Sequence, residues 1–565
     1  IAYLWPSGPW FWLFDTLGVA DWVAHRLWIG TIVFAAGAGV RWAASALGIG
    51  PSGSTVAALV YQLSPFLLAY ISRTSLLLLP WAGLGWIVAL TIRAATGASR
   101  PRAAGDVGWR DRAGAWRDPA LIALIVATIG AVNATALALI IPGPLLWLVH
   151  ATWQQSIGRR QALGIALRVG VLCGAVSLWW IGMLVVQSRH GAPVLSFSET
   201  LEDVSRNSTG SEIIRSLGYW LLYQRDPIGP TTTASLPYLI SLRSIAVSFA
   251  VALIGLLGLT VVSWPHRRYA ALLVAVGGII AVGVHPIGSP SPLMSLLTDD
   301  SGSGLALALR SSTRAIPVFL LGIALGAGAL ISSIPSWTPR GWPASHRRRP
   351  ELRTLAAVGV GLLAVVNLPS LSGADLVDPA IDRDENPPQS WSDAAQRIDE
   401  TADGGRVLQL PGAEFGAFRW GYTADQPLAG LGTTPLLTRE LLPLGSAAAM
   451  DLIYALDDRF QEGTIEVASV APVSRLLGVS SLLLTNDMAF ERYRTARPEV
   501  VDALLTGSEG AGLGAVERIG TPTTNTPDVA MTDPASLLDD RIGDPISPLT
   551  LVRVDDAVPT IRVKA

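Results

Sequence analysis

Long apolar runs separated by short arginine-bearing stretches fill the first two-thirds of the chain. About 20 apolar residues suffice to cross about 30 Å of hydrocarbon as a helix. The pattern predicts ten spans, over residues 22–46, 54–72, 74–96, 119–140, 143–157, 162–187, 237–263, 269–286, 304–332 and 354–369. The fifth is the weakest, because GPLLWLVHATWQQ is short and turns polar. Pro65, Pro80 and Pro317 fall inside apolar runs; membrane helices tolerate proline where neighbours satisfy the freed carbonyls. From Ser370 the pattern becomes that of a soluble domain. SWSDAAQRIDE reads as a helix with Ser392 as N-cap, GRVLQLP as a buried strand, and VSRLLGVSSLLLTND as a helix end, a glycine and a second strand. Strands alternating with helices predict an α/β domain over 370–565, and GTPTTNTPD reads as loop. The expected fold class is a polytopic α-helical membrane protein followed by an extracytoplasmic α/β domain.

Charge adds an orientation. The 565 residues are 50% hydrophobic and 15% charged, against about a quarter charged in soluble domains. Arg100, Arg102, Arg110, Arg112 and Arg117 lie between the third and fourth spans, and Arg159 and Arg160 between the fifth and sixth. His266, Arg267 and Arg268 precede the eighth span; Arg340, Arg347, Arg348, Arg349 and Arg353 precede the tenth. With ten spans, these four loops share one side, which the positive-inside rule makes cytoplasmic. The loop 188–236, the loop 287–303 and everything after Pro369 then face outward. IIRSLGYWLLY, within 188–236, is amphipathic enough to lie along the outer interface. Basic inner loops can dock an acidic cytosolic protein such as acyl carrier protein; solvated positive-inside loops are the simpler account.

Within the ninth span, Arg310 and Arg314 stand four residues apart. A guanidinium in hydrocarbon costs from about 3 kcal/mol upward. The orientation places both within about two turns of the outer end, at about 1.5 Å per residue. The spacing puts them on one helix face. They can snorkel or pair with Asp299 and Asp300 just upstream, or they can form an anion site, since arginine forks match phosphate oxygens. Arg73, in the outer turn YISRTSLLLLP, is a third candidate for that site. Glu199, Glu202 and Asp203 have the spacing of a shared helix face and are candidates to support an acceptor or move a proton. Tyr219 and Trp220 are candidates for the same region, or plain interfacial anchors. In the soluble part, PGAEFGAFRWGYTADQPL gathers Glu414, Arg419 and Trp420, a set suited to saccharide contact or to loop packing.

Several chemistries lack their motifs. There is no P-loop, HExxH or GxSxG. Cys173 is the single cysteine, so cysteine metal sites and internal disulfides are excluded within the chain. No feature points to nucleic acid.

The stretches YLWPSGPWFWLFDTLGVADWVAHRLWIG, SPFLLAYISRTSLLLLPWAGLGWI, ALALRSSTRAIP, RVLQLPGAEFGAFRWGYTADQPL and MDLIYALDDRFQEG resemble the actinobacterial AftD-type α(1→3)-arabinofuranosyltransferases along essentially the whole chain. Lys564 is the single lysine, a composition that fits a high-GC genome. The resemblance implies a GT-C glycosyltransferase of the plasma membrane. It implies transfer of arabinofuranose from decaprenyl-phosphoryl-arabinofuranose, through an α(1→3) linkage, onto the arabinan of arabinogalactan or lipoarabinomannan on the periplasmic side. The family places its catalytic acid in the first extracytoplasmic loop, expected upstream of Ile1, so no catalytic residue is assigned here. Carbohydrate-binding modules are expected beyond the C-terminus. No cofactor is required by this reading, although a divalent cation is compatible with it. Competing readings are a lipid-linked saccharide flippase and a non-catalytic glycan-binding scaffold.

Overall fold

The computed structural model describes residues 5–72, 74–98, 109–190, 199–226, 228–289, 310–334, 352–373, 376, 378, 383–384, 386–440, 445–493, 495–507 and 511–558. The chain forms two compact units. One comprises Ile1–Val186, Glu199–Tyr223 and Thr233–Leu376; the other comprises Gln187–Ser198, Gln224–Thr232 and Val377–Ala565. Part of the loop expected at 188–236 thus belongs with the C-terminal unit.

Among the described residues of the first unit, seven helical stretches are long and apolar enough to cross a bilayer: Asp21–Ala46, Pro51–Ile71, Ser75–Gly97, Ala134–Trp153, Arg159–His190, Leu242–Val261 and Ser312–Ser333. The helices Trp109–Ile129, Arg267–Val282 and Leu352–Val366 are shorter or begin with a polar turn. The break expected between residues 140 and 143 falls earlier. Trp109–Ile129 ends before Gly130, and Asn133 starts the next helix by accepting a hydrogen bond on its side chain from Ala136 N at 2.8 Å. Pro142 sits in the first turn of the following segment, where proline's missing N–H costs nothing. The weak fifth span therefore corresponds to one longer stretch, Ala134–Trp153, long and apolar enough to cross a bilayer.

The helix Ile316–Ser333 occupies the middle of this unit, buried at nearly every residue. Lipid supplies no hydrophobic drive for helix association, so close packing through small residues replaces it. A Cβ on Gly258 would come within 1.9 Å of Gly326 O, and one on Gly326 within 2.3 Å of Gly255 O. On another side, a Cβ on Gly53 would come within 2.2 Å of Gly328 O; on a third, one on Gly277 would meet Phe319 N at 2.4 Å. Three helices, Pro51–Gln62, Leu242–Val261 and Arg267–Val282, thus touch the central one backbone to backbone.

The bundle's two ends differ. At one end Trp264 Nε1 donates to Leu47 O at 3.1 Å, Gln154 Nε2 to Pro265 O at 2.6 Å, and Arg353 Nε to Ile334 O at 2.8 Å. His150 and His266 also meet there, ring nitrogens 3.2 Å apart. Arg267 and Arg268 open their helix at this end. The opposite end gathers Ile71, Asn133, Gly283 and Arg314, the other termini of the same helices.

The second unit is an α/β domain. Its strands are β1 (Arg406–Leu410), β2 (Gly416–Phe418), β3 (Gly421–Ala424), β4 (Leu436–Leu437), β5 (Val479–Thr485), β6 (Leu513–Ile519) and β7 (Leu549–Val554). Five of them form a sheet in the order β4-β1-β5-β7-β6, while β2 and β3 pair as a hairpin. The β1 strand runs parallel to β4 and β5, whereas β7 is antiparallel to β5 and β6. Alternate residues of β5 point to opposite faces. Leu482 and Leu484 pack with Leu456, Val470 and Val501, and Leu483 packs with Trp391, Ile398 and Phe418. Both faces are covered, which explains why consecutive apolar residues, Val407–Leu408 in β1 and Leu482–Leu484 in β5, are all buried.

The glycine contacts make a test. Gly326→Val should lower the thermal unfolding midpoint in detergent by more than about 5 °C. Gly174→Val, at a position with no neighbour within 4 Å of a Cβ, should leave it nearly unchanged. Equal midpoints would contradict backbone contact at the central helix.

Candidate functional site

Arg310 and Arg314 do not share a helix face. Pro317 sits in the first turn of Ile316–Ser333, so the α-helix begins there; a 3₁₀ turn, Ser312–Ala315, precedes it and Arg310 lies outside both. The turn is pinned by Ser312 Oγ, which donates to Ala281 O at 3.1 Å. Gly283, at φ +57°, faces it, and a Cβ there would come within 2.3 Å of Ser312 Oγ. That position needs glycine both for its backbone angle and for the space.

Both arginines are nevertheless brought to one place. Arg310 is 4% exposed and the side chain of Arg314 is 14% exposed. Arg314 Nη2 lies 3.8 Å from Glu199 Oε1, and Nη1 donates to Asn133 Oδ1 at 3.4 Å. Its Nε is buried without a hydrogen-bond partner among the described residues. Tyr70 and Tyr219, stacked with ring centroids 4.5 Å apart, stand beside the same guanidinium. Glu199 and Arg314 also lie in the electrostatic environment of Arg310. Arg73 lies outside the described residues, as do Asp299 and Asp300.

The three loop carboxylates separate. Thr200 caps the helix Leu201–Asn207 in a capping box with Asp203, so the helix starts after Glu199. Asp203 is occupied by that cap, and Glu202 pairs on the surface with Arg206 at 2.5 Å. Glu199 is the buried one. Its Oε2 accepts from Trp220 Nε1 at 2.7 Å and its Oε1 accepts from Ser311 Oγ. Trp220 and Tyr219 are therefore part of the site wall rather than a surface belt. Most of IIRSLGYWLLY is likewise folded inward, Ile214 being the exposed large side chain. Arg215 is 7% exposed and donates to Glu212 at 2.9 Å, Ser248 Oγ at 2.9 Å and Tyr238 O at 2.7 Å. The amphipathic pattern misleads here because a charged residue with three internal partners looks, in sequence, like a solvated one.

Tyr70, Asn133 and Ser311 carried no signal as site residues in the sequence. Asn133 after Gly130 does carry the mark of a helix start, and a helix start inside an apolar run is the clue that could have found it. Among the described residues no group of three or more His, Cys, Asp or Glu could hold a metal ion.

In the α/β unit, Arg419 donates through Nη1 and Nη2 to Glu491 at 2.6 Å each and through Nε to Asn525. Trp420 stacks on Phe418 at 5.4 Å and donates to Asp487 Oδ2 at 3.0 Å, beside a second indole from Trp391 at 2.9 Å. Both side chains thus hold the domain's own loops, and Glu414 is exposed. Burial pushes the Asp487 carboxyl up to about 7, opposed by the two indole donors and Arg419.

The first unit defines a multi-pass helical membrane domain with a cationic, aromatic-walled site at one end. Comparison with known proteins narrows this. The family model of the N-terminal GT-C domain of α-(1→3)-arabinofuranosyltransferase matches residues 1–564, and the chain belongs to that family. An α-(1→3)-arabinofuranosyltransferase of Mycolicibacterium smegmatis is 29% identical over 548 residues, covering 92% of this chain and 35% of that protein. One from Mycobacterium tuberculosis is 29% identical over 547 residues, covering 93% of this chain and 36% of the relative. The cryo-EM structure of arabinofuranosyltransferase AftD from mycobacteria superposes with a TM-score of 0.71 over 98% of this chain and 35% of that one, at 24% identity. The chain thus spans about a third of the length of its curated relatives, and the resemblance read from its sequence holds at family level.

Asp487 yields a pH test. Its pKa is raised on folding, so its contribution to stability is full below about pH 4 and is lost as pH rises through about 7. Asp487→Asn mimics the neutral carboxyl. The wild-type unfolding midpoint should fall relative to that of the variant between about pH 4 and pH 7.5. Parallel curves would show that the buried carboxyl does not titrate in this range.

Proposed function

We propose that this chain is the membrane part of an arabinofuranosyltransferase that takes arabinofuranose from decaprenyl-phosphoryl-arabinofuranose and adds it through an α(1→3) linkage to cell-wall arabinan. In this reading the chain crosses the plasma membrane ten times. The arginine-rich end is cytoplasmic, and the site end and the α/β domain are periplasmic. The observation that carries the reading is the largely enclosed Arg314, with the buried Arg310 and Glu199, at the bundle end opposite Arg267 and Arg268.

The chemistry follows from charge. The bond from the anomeric carbon to the phosphate oxygen breaks, and its electron pair leaves with the polyprenyl phosphate. The acceptor hydroxyl oxygen forms the new bond to that carbon and gives up its proton to a base. Arg310, Arg314 and Arg73 supply the cationic side that stabilises the leaving phosphate. Glu199, fixed by Trp220 and Ser311, holds Arg314 in place. Glu202 and Asp203 are committed elsewhere, and no base is assigned to this chain. An acidic partner such as acyl carrier protein would meet Arg159, Arg160, Arg267 and Arg268 at the other end.

The full-length protein carrying Arg314→Ala should lose transfer from a polyprenyl-phosphate donor by about 100-fold or more, with Arg314→Lys intermediate because a point charge cannot reproduce the fork. Arg310→Ala should weaken donor binding. Unchanged donor KM and turnover in both alanine variants would overturn the phosphate assignment.

A further inference from the structure

The membrane unit contains a second polar place that the proposed donor site does not use. A cavity of about 10 Å³ is lined by Ser64, Arg215, Ser216, Ser248 and Asn367 together with apolar side chains including Leu320 and Ile323 of the central helix. Apart from Ile214, its lining residues are buried. Such polarity in the middle of a membrane bundle needs an account, because a buried hydroxyl or amide oxygen left unpaired costs about 1–3 kcal/mol.

Two such groups are present. Ser64 Oγ and Asn367 Oδ1 are fully buried, in residues 2% and 3% exposed, and have no hydrogen-bond partner within the protein among the described residues. Ser64 lies where Pro51–Gln62 gives way to the 3₁₀ turn Pro65–Leu67. Asn367 follows the helix Leu352–Val366, and its backbone oxygen accepts from the Tyr238 hydroxyl. Arg215 completes the lining. A guanidinium has five N–H groups; among the described residues, three of those of Arg215 go to Glu212, Ser248 and Tyr238, which leaves two.

We propose that this cavity binds one ordered water molecule. It would donate to Asn367 Oδ1 and accept from the Ser64 hydroxyl and a guanidinium N–H of Arg215. The size agrees: room for one water corresponds to roughly 10–15 Å³ of space open to its centre, whereas chloride or phosphate needs more. The charge agrees too, because Glu212 already balances Arg215 at 2.9 Å and a neutral ligand suffices. The water completes the anchorage of Arg215, which ties the segment Gly210–Tyr223, and with it Tyr219 and Trp220, to the helices at Ser248 and Tyr238. The inference stands independently of the donor-site reading.

X-ray radiolytic footprinting of the protein in detergent tests it, because radicals formed from a bound water label the side chains that touch it. Leu320 and Ile323, each 2% exposed, should be labelled several-fold more than Leu84 and Val88, each 0% exposed in an apolar environment. Labelling no higher than at Leu84 and Val88 would overturn the proposal. The variant Ser64→Ala with Asn367→Leu should bring Leu320 and Ile323 down to that background. Persistent labelling in a folded variant would equally overturn it, since the water would then not be held by these groups. If the variant does not fold, the wild-type comparison still decides.

Discussion

Contact between helix backbones at the central helix is the constraint on which the rest of the membrane unit depends. Gly53, Gly255, Gly258, Gly277, Gly322, Gly326 and Gly328 remove side chains where Pro51–Gln62, Leu242–Val261 and Arg267–Val282 meet Ile316–Ser333. Dispersion between closely fitted surfaces then does what the hydrophobic effect does in water. At these contacts any side chain larger than hydrogen would collide with the facing backbone. The close approach therefore sets where the end of each helix lies.

The site at the N-terminal end of the central helix uses this rigidity. Its groups come from five separated stretches, near Tyr70, Asn133, Glu199, Tyr219–Trp220 and Ser311–Arg314. No local segment could hold them at hydrogen-bonding distance. Asn133 caps its own helix and touches Arg314 with the same oxygen, so the position of that helix is read directly by the guanidinium. The partial positive charge at the start of Ile316–Ser333 adds to that of the arginines. Glu199 offsets part of it, which makes two closely placed, largely enclosed cations tolerable.

The apolar pattern of the sequence was enough to find the long helices, seven of which among the described residues are long and apolar enough to cross a bilayer, because hydrocarbon imposes one length on such helices. It misplaced the break that falls at Gly130–Asn133, and it ran the ninth helix through Arg310, which lies outside that helix. Hydropathy averages over Gly130 and Asn133 and is drawn instead to Pro142 and Pro144, although proline in a first helical turn starts a helix rather than ending one. The same local rule, applied to Pro317 and to the capping box at Thr200, separates Arg310 from Arg314 and Glu199 from Asp203. The α/β character was visible in β1 and β5, where the consecutive apolar residues Val407–Leu408 and Leu482–Leu484 record burial on both faces. What the sequence hid is juxtaposition. Nothing near Tyr70 or Asn133 announces an arginine 181 residues away from the latter, and the buried role of Arg215 depends on partners supplied by two other helices.

One peripheral feature has a practical side. The helix Arg159–His190 turns most of its length away from the rest of the unit, and Cys173, half-exposed, sits on it as the single cysteine of the chain. A neutral thiol-reactive fluorophore or spin label would therefore attach to this chain at one native position, remote in sequence from the site residues. Within this chain that single thiol is a ready attachment point for measuring depth in the bilayer.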